Sequence, residues 1–188
     1  MKDTIQVVIA SYFLDPDGLV LPGVGSFSSA QRILLENKKQ IVGAIDSKSL
    51  PILGICLGMQ LLFETSEEGK GRGLGLFKGS VRRFSKDDKT KVPHMGWNTL
   101  TLSNDNKNGT SSKICSGIIN KSWVYYVHSY YPMSEDESLV KAWTKHGATK
   151  FPAIIEKGSI FGTQFHPEKS ASVGFKLISN FKAHVIKR

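Results

Sequence analysis

The chain has 188 residues, of which 40% are hydrophobic and 22% are charged. These values lie near the averages for globular domains, and they exclude a fibrous repeat, a coiled coil and a disordered tail protein. The formal net charge is +9, but the basic residues are spread along the chain and no aromatic residues alternate regularly with them. A nucleic-acid-binding stripe is therefore not indicated, and we expect one domain over residues 1–188.

The apolar pattern predicts alternating strands and helices in the first half of the chain. Ile33, Leu34 and Ile41 recur at helical spacing, whereas Pro51 to Ile55 is a continuous apolar run of the kind found in a buried strand. In chain order, we predict strands at Val7 to Ala10 and Gly18 to Leu21, a helix at Ser28 to Ser47, a strand at Pro51 to Ile55 and a helix at Met59 to Thr65. This alternation is typical of a doubly wound α/β sheet.

The second half of the chain is richer in predicted strands. They lie at Val81 to Phe84, Thr99 to Leu102, Trp123 to Val127, Val140 to Thr144, Ala153 to Glu156 and Ile160 to Phe165. A polar loop is predicted at Asn104 to Ser112 and a closing helix at Val173 to Lys187. The predicted fold is an α/β core, a mixed sheet flanked by helices, with an added antiparallel part.

The two cysteines, Cys56 and Cys115, do not form a CxxC pair, so neither a zinc site nor a thioredoxin-type motif is indicated. We expect no metal and no cofactor. Two thiols without a disulfide framework favour a reducing compartment. The apolar segment Ile5 to Leu14 has no small-residue cleavage site after it, so we interpret it as core rather than as a signal peptide. The expected location is the cytoplasm.

Cys56 lies in a G-x-C-x-G pattern, Gly54 to Gly58, between a predicted buried strand and a predicted helix. A nucleophile on such a sharp strand-to-helix turn projects above the sheet, and the flanking glycines make room for the turn. The N-terminus of the following helix should lower the pKa of the thiol and favour thiolate. The alternative is a buried structural cysteine, but the context favours a nucleophile; Cys115 has no such context and is expected in the core or a loop.

The candidate base is His166, which precedes Pro167 and Glu168 at the end of a predicted strand. Proline biases the preceding residue toward extended backbone, in which residues two apart point to the same side. The Glu168 carboxylate can then fix the tautomer of His166 and leave its other nitrogen to deprotonate a nucleophile. The alternative is an ordinary histidine at a strand end, but the elbow cysteine favours a Cys56, His166 and Glu168 triad.

The candidate oxyanion donors are backbone N–H groups. In a nucleophile elbow, one donor belongs to the residue after the nucleophile, here Leu57, and the second comes from a neighbouring strand loop. The glycine-containing turn at Gly23, Val24 and Gly25 follows a predicted strand and is the natural second source. Taken alone, this turn could also be an ordinary one.

These segments together resemble the class I (triad) glutamine amidotransferases and, among them, the family of glutaminase subunits of imidazole glycerol phosphate synthase. The matching stretches are LVLPGVGSF (19–27), GICLGMQLLFE (54–64), VPHMGWN (92–98), HSYY (128–131) and GTQFHPEKS (162–170). The elbow and the His-Pro-Glu segment are shared by the superfamily, whereas PHMGWN and HPEKS point to these subunits. The resemblance implies a class I glutamine amidotransferase-like mixed sheet flanked by helices.

The resemblance also implies a reaction and a partner. Cys56 would attack the glutamine side-chain amide, and the resulting thioester would be hydrolysed to glutamate. Gln60 and the backbone of Ser129 and Tyr130 would hold the glutamine. The ammonia would pass to a (β/α)₈-barrel cyclase subunit in histidine biosynthesis, which is the expected partner. The positions at which the family meets that partner are Trp97, Tyr125 and Lys169.

One departure from the family concerns the N-terminus. The family begins with a strand and a helix before its second strand, and the seventeen residues before Gly18 leave too little room for all of these. We interpret Ile5 to Ala10 as the second strand. We expect the first strand and helix to be absent. Three alternatives to the histidine-pathway glutaminase remain: a paralogue that feeds another acceptor, for instance in amidino-sugar synthesis, a truncated non-catalytic binding subunit, and a cysteine peptidase. The PHMGWN stretch disfavours the last.

Overall fold

The strands of this protein form one large mixed sheet and two smaller sheets. A computed structural model describes residues 16–23, 25–48, 50–85, 90–103 and 112–186. The strands are β1 (Leu19–Leu21), β2 (Ile52–Ile55), β3 (Phe63–Ser66), β4 (Gly71–Arg72), β5 (Phe77–Arg83), β6 (His94–Thr99), β7 (Thr101–Leu102), β8 (Trp123–His128), β9 (Tyr130–Ser134), β10 (Val140–His146), β11 (Thr149–Lys157) and β12 (Ile160–Thr163). The helices are α1 (Phe27–Glu36), α2 (Lys38–Lys48), α3 (Leu57–Gln60) and α4 (Ala171–Ile186), with short 3-10 helices at Glu68–Lys70, Glu137–Leu139 and Pro167–Lys169.

The large sheet has the strand order β1-β2-β12-β11-β10-β7. Its first three strands are parallel to each other, and the pairs β12–β11, β11–β10 and β10–β7 are antiparallel. The prediction of an α/β core with an antiparallel addition is therefore confirmed. Because neighbouring parallel strands end at the same edge of a sheet, the loops after β1, β2 and β12 emerge side by side.

The large sheet is apolar on both faces because side chains alternate along a strand. Ile52 belongs to one hydrophobic cluster and its neighbour Leu53 to the other, and the same division separates Ile160 from Phe161. The first cluster includes residues of α1 and α2 and of the sheet formed by β4, β3, β5 and β9. The second includes residues of α4 and of the β6–β8 pair. Cover on both faces explains the continuous apolar sequence of β2.

Ser129 links two of the sheets. It follows β8, which pairs only with β6 among the described strands, and precedes β9, which pairs with β5. The chain therefore passes from the two-stranded to the four-stranded sheet at this residue. The passage brings Ser129 and Tyr130 close to the ends of the parallel strands.

The structure corrects several predicted elements. The helix predicted at Met59 to Thr65 is wrong, because α3 ends at Gln60 and Phe63–Ser66 is strand β3. Leu61, Leu62 and Phe63 are all buried, so no face of this segment is left for solvent as an amphipathic helix requires. The single helix predicted at Ser28 to Ser47 is divided at Asn37.

Four strands, β3, β4, β6 and β9, were not predicted, because β4 has only two residues and the others lack a clear alternation. The predicted strand at Val7 to Ala10 and most of the predicted loop at Asn104 to Ser112 lie outside the described residues. The described residues therefore do not test the expectation that the family's first strand and helix are absent. Within the described residues, no helix has the length and apolar character needed to span a membrane.

Candidate active site

The candidate site lies where three neighbouring parallel strands end. Gly23 follows β1, Cys56 follows β2 directly and His166 comes three residues after β12. The strand registers align these ends, since Gly54 pairs with Leu21 on one side and with Gly162 on the other. The three predicted segments are therefore brought together by the sheet itself.

Cys56 occupies a strained backbone position, with φ 49° and ψ −106°. A residue other than glycine rarely adopts positive φ, and such strain is found at functional sites. The chain can turn here because α3 packs directly on β1: a Cβ at Gly58 would lie 1.9 Å from the Leu21 carbonyl oxygen. The turn holds the sulfur at the cavity, where its side chain is 5% exposed.

The environment of Cys56 favours the protonated thiol over the thiolate. Its pKa is raised to about 12, mainly by burial and in part by the negative charge of Glu168, even though hydrogen bonds from the Leu57 backbone and the Gln164 side chain lower it. The expectation that the helix N-terminus would favour thiolate is therefore wrong for this state of the protein. The helix is a single turn of four residues, and desolvation outweighs it. At neutral pH the sulfur carries its proton and needs a base.

Gly23 touches the elbow so closely that no side chain fits. A Cβ at this position would lie 2.1 Å from the Ile55 carbonyl oxygen, 2.7 Å from the Leu57 nitrogen and 2.8 Å from the Cys56 Cβ. Gly25 also borders the cavity, with φ +113°, while Val24 lies outside the described residues. The backbone of this turn is thus beside the Leu57 N–H, as an oxyanion site requires.

His166 and Glu168 form a hydrogen-bonded pair. The distance from His166 Nδ1 to Glu168 Oε1 is 2.7 Å, and the histidine side chain is 3% exposed while that of the glutamate is 49% exposed. Nε2 of the same ring is buried and has no hydrogen-bond partner among the described residues. Buried polar atoms are almost always paired, so an imidazole nitrogen without a described partner, on a histidine that lines the same cavity as Cys56, is suited to accept a proton during the reaction.

Cys56 and His166 both line a cavity of about 440 Å³. This is large enough for a small molecule of amino-acid size. The predicted substrate residues Gly23, Gly25, Leu57, Gln60, Ser129 and Tyr130 also line it, with Glu68, Pro93, Val127, His128 and Lys169. Gln60 is fixed there, because its Nε2 donates to the Tyr130 carbonyl oxygen at 2.9 Å.

Trp97, Tyr125 and Lys169, the predicted partner contacts, form one group beside the cavity. Trp97 pairs with Tyr125 across β6 and β8, with their ring centroids 6.0 Å apart, and Lys169 Nζ lies 5.8 Å from the Tyr125 ring centroid. Trp97 is 51% exposed, and two other large apolar residues on the same strand pair, Met95 (63%) and Trp123 (59%), are exposed as well. Exposed large apolar groups of this kind are typical of an interaction surface.

Two features of the site were missed by the sequence analysis. Gln164 is fully buried and its Nε2 lies 3.5 Å from Cys56 Sγ; its position two residues before His166 in an extended segment could have indicated it. The second feature is a pair of histidines, in which His94 Nδ1 lies 3.0 Å from His128 Nε2. No spacing in the sequence connects them, because β6 and β8 pair only in the folded chain.

The chain is similar to known proteins in sequence and in fold. The family model described as "Glutamine amidotransferase class-I" matches residues 2–184. The chain is 44% identical to imidazole glycerol phosphate synthase subunit HisH of Synechococcus sp. (strain JA-3-3Ab) over 92% of this chain and 78% of that protein, and 46% identical to the subunit of the same name from Methanocaldococcus jannaschii over 88% and 79%. The structure of PurLQS from Thermotoga maritima has a similar fold, with a TM-score of 0.66 and 19% identity over 93% of this chain and 82% of that one.

Proposed function

This chain belongs to the class-I glutamine amidotransferase family, and from that premise we propose that it is the glutaminase subunit of an imidazole glycerol phosphate synthase. It hydrolyses glutamine to glutamate and supplies the ammonia to a cyclase partner in histidine biosynthesis. The observation that carries the catalytic assignment is the unpaired, buried Nε2 of His166 at the cavity that holds the strained Cys56. Both cysteines are present as thiols rather than as a disulfide, which suits a cytoplasmic enzyme.

The first step forms a thioester. Cys56 Sγ attacks the side-chain amide carbon of glutamine while His166 Nε2 takes the thiol proton, as the raised pKa of the thiol requires. Glu168 accepts the hydrogen bond from Nδ1 and stabilises the imidazolium that forms. The tetrahedral intermediate then collapses: its carbon–nitrogen bond breaks, the imidazolium protonates the departing nitrogen, and ammonia leaves.

The second step hydrolyses the thioester. A water molecule gives a proton to His166 Nε2 and its oxygen attacks the thioester carbon. The carbon–sulfur bond then breaks, the proton returns to the sulfur, and glutamate leaves. Over both steps, one glutamine and one water become one glutamate and one ammonia, and the protein returns to its starting state.

Backbone donors stabilise the charge that develops in both steps. The oxyanion is held by the Leu57 N–H and by an N–H of the turn at residues 23–25, whose close approach to Leu57 is permitted only by glycine. Gln60 and the backbone of Ser129 and Tyr130 hold the rest of the glutamine, since all three border the cavity.

The partner is a (β/α)₈-barrel cyclase subunit that binds the group of Trp97, Tyr125 and Lys169. Two observations support this surface. Trp97 is exposed on the β6–β8 pair, next to the half-buried Tyr125, and Lys169 borders the cavity as well, so a partner seated here lies next to the point at which ammonia is released.

The catalytic assignment is tested by replacing each cysteine in turn. Glutamate release is measured on the full chain with its cyclase partner and the acceptor precursor present. Cys56→Ala should abolish release, because among the described residues Cys56 is the only cysteine that lines the cavity. Cys115→Ala is the matched control: this thiol is buried in the second hydrophobic cluster, so release should persist. Full activity in the Cys56 variant would overturn the assignment.

The partner surface is tested by co-elution with the barrel subunit. The double variant Trp97→Ala/Lys169→Ala should weaken co-elution. Leu35→Ala is the control: it removes an apolar side chain of α1 that is 40% exposed and lies outside the proposed surface, so co-elution should stay unchanged. If the wild-type chain hydrolyses glutamine but does not bind the histidine-pathway cyclase, the acceptor is a different one and the paralogue alternative is favoured.

A further inference from the structure

Two buried histidines form a hydrogen-bonded pair at the wall of the cavity, which His128 lines. His94 Nδ1 lies 3.0 Å from His128 Nε2, and the residues are 4% and 6% exposed. Aromatic rings enclose them: Tyr126 stacks on His94 with centroids 4.6 Å apart, and Phe84 and Phe151 lie 5.3 and 5.2 Å from the His128 centroid. Neither histidine takes part in the proposed chemical steps.

The proton positions in this pair follow from its neighbours. His128 Nδ1 lies 2.8 Å from the Tyr130 carbonyl oxygen, which can only accept, so Nδ1 carries a hydrogen. In a neutral ring, Nε2 of His128 is then an acceptor, and His94 Nδ1 must donate to it. Nε2 of His94 is left as an acceptor, and Asn98 Nδ2 lies 3.1 Å from it.

Asn98 excludes a positively charged imidazole in this pair, because its side-chain amide cannot be flipped to present its oxygen to His94 Nε2. Nδ2 also donates to the Lys145 carbonyl oxygen at 3.0 Å, and Oδ1 accepts from the Thr99 N–H at 2.8 Å. These two backbone groups have fixed polarity, so exchanging the amide nitrogen and oxygen would oppose donor to donor and acceptor to acceptor. A second proton on either histidine would therefore break a hydrogen bond.

The groups that face the pair disfavour a second proton as well. They are His146 from β10, stacked on His94 at 4.0 Å, and His166 after β12; the neutral ring of Tyr126 from β8 also faces His94. Burial lowers the pKa of His94 to about 3, with His146 contributing. Burial also lowers the pKa of His128 to about 3, with His94 as the next contributor to the lowering.

The hydrogen bonds continue from this pair to the nucleophile. The Tyr130 carbonyl oxygen accepts from His128 and from Gln60 Nε2, which also donates to Gln164 Oε1 at 3.1 Å. Gln164 Nε2 in turn lies 3.5 Å from Cys56 Sγ. Both lone pairs of the Tyr130 oxygen and both hydrogens of Gln60 Nε2 are thus engaged.

We infer that His94 and His128 are positioning residues for the glutamine site: as a neutral pair with both protons on Nδ1, they fix the Tyr130 carbonyl and through it the Gln60 amide. The inference rests on the proposed glutaminase function. Because its N–H groups are engaged, Gln60 meets a bound glutamine as an acceptor. The chain of bonds starts at Asn98, adjacent to Trp97 of the proposed partner surface, so it also joins that surface to the site.

The decisive variants are His128→Leu and His128→Asn, whose side chains are nearly identical in size and shape. Both leave the same void, but only Asn can donate to the Tyr130 oxygen, since its Nδ2 takes the place of Nδ1. With the cyclase partner present, the Leu variant should raise the KM for glutamine about 10-fold with little change in kcat. The Asn variant should recover most of that loss.

Equal KM values for the two variants, or a wild-type KM in the Leu variant, would overturn the inference. A wild-type enzyme that releases no glutamate would instead contradict the proposed function. Nitrogen NMR of ¹⁵N-histidine-labelled wild type keeps the inference testable if a variant fails to fold. His94 and His128 should show protonated Nδ1 and unprotonated Nε2, unchanged between about pH 5 and 8. Protonated Nε2, or titration in that range, would refute the fixed pair.

Discussion

Adding one methyl group at Gly23 should disable the oxyanion site while leaving the nucleophile in place. In Gly23→Ala, the new Cβ would lie 2.1 Å from the Ile55 carbonyl oxygen and 2.7 Å from the Leu57 nitrogen. Ordinary contacts of a Cβ are about 3.4 Å or longer, so the turn must retreat by more than about 1 Å. The obstructing atoms are backbone, which cannot rotate away as a side chain does.

The expected loss of kcat follows from the displacement of the turn that begins at Gly23. The displaced turn carries one oxyanion donor, and removal of one such donor lowers kcat by about 10²–10³-fold, or about 3–4 kcal/mol of transition-state stabilisation. Crowding of the elbow should also lower the free energy of unfolding by about 1–3 kcal/mol. The KM for glutamine should change less than kcat, because the oxyanion forms only during the reaction.

The assay is glutamate release at saturating glutamine with the cyclase partner present, together with a thermal melt and alkylation of Cys56 by iodoacetamide. Alkylation does not need the oxyanion site, so its rate should stay close to that of the wild type while kcat falls. Gly43→Ala is the matched control, since a Cβ there meets no heavy atom of the described residues within 4 Å outside its own helix backbone and its chain neighbours. A folded Gly23→Ala protein with kcat within about 3-fold of the wild type would refute the role given to this turn.

Three further outcomes are expected. Because burial raises the pKa of Cys56 to about 12, its alkylation rate should keep rising with pH above 9, and a plateau near 9 would contradict the desolvated thiol. The pKa values of His94 and His128 are lowered from 6.5 to about 3, so the unfolded chain binds more protons than the folded protein. The free energy of unfolding should therefore fall as the pH decreases below about 6.5. Chemical denaturation at a series of pH values measures this free energy, and a value independent of pH would refute the prediction. Gly43→Ala in α2 should raise that free energy by about 0.5–1 kcal/mol in the same measurement, and a decrease would show an unrecognised need for glycine.

The local features of the site were predictable from the sequence because they depend on neighbouring residues. The glycines around Cys56 indicate a sharp turn after a buried strand, and the structure has a positive φ at that residue. Pro167 keeps His166 extended, with φ −93° and ψ 100°, which lets Glu168 reach Nδ1 from two residues away. Each of these arrangements is set by backbone geometry over a few residues.

Only the tertiary structure decided how those groups behave together. The pKa of the Cys56 thiol is raised rather than lowered, because burial by distant segments outweighs the single helical turn beside it. The helix predicted through Thr65 ends at Gln60 because the next residues are needed in the core and in pairing with β5. The pair of His94 and His128 exists because β6 and β8 align them in register. The sequence therefore specifies the turns that carry the chemistry, whereas desolvation and long-range strand pairing specify the protonation states and the support of the substrate site.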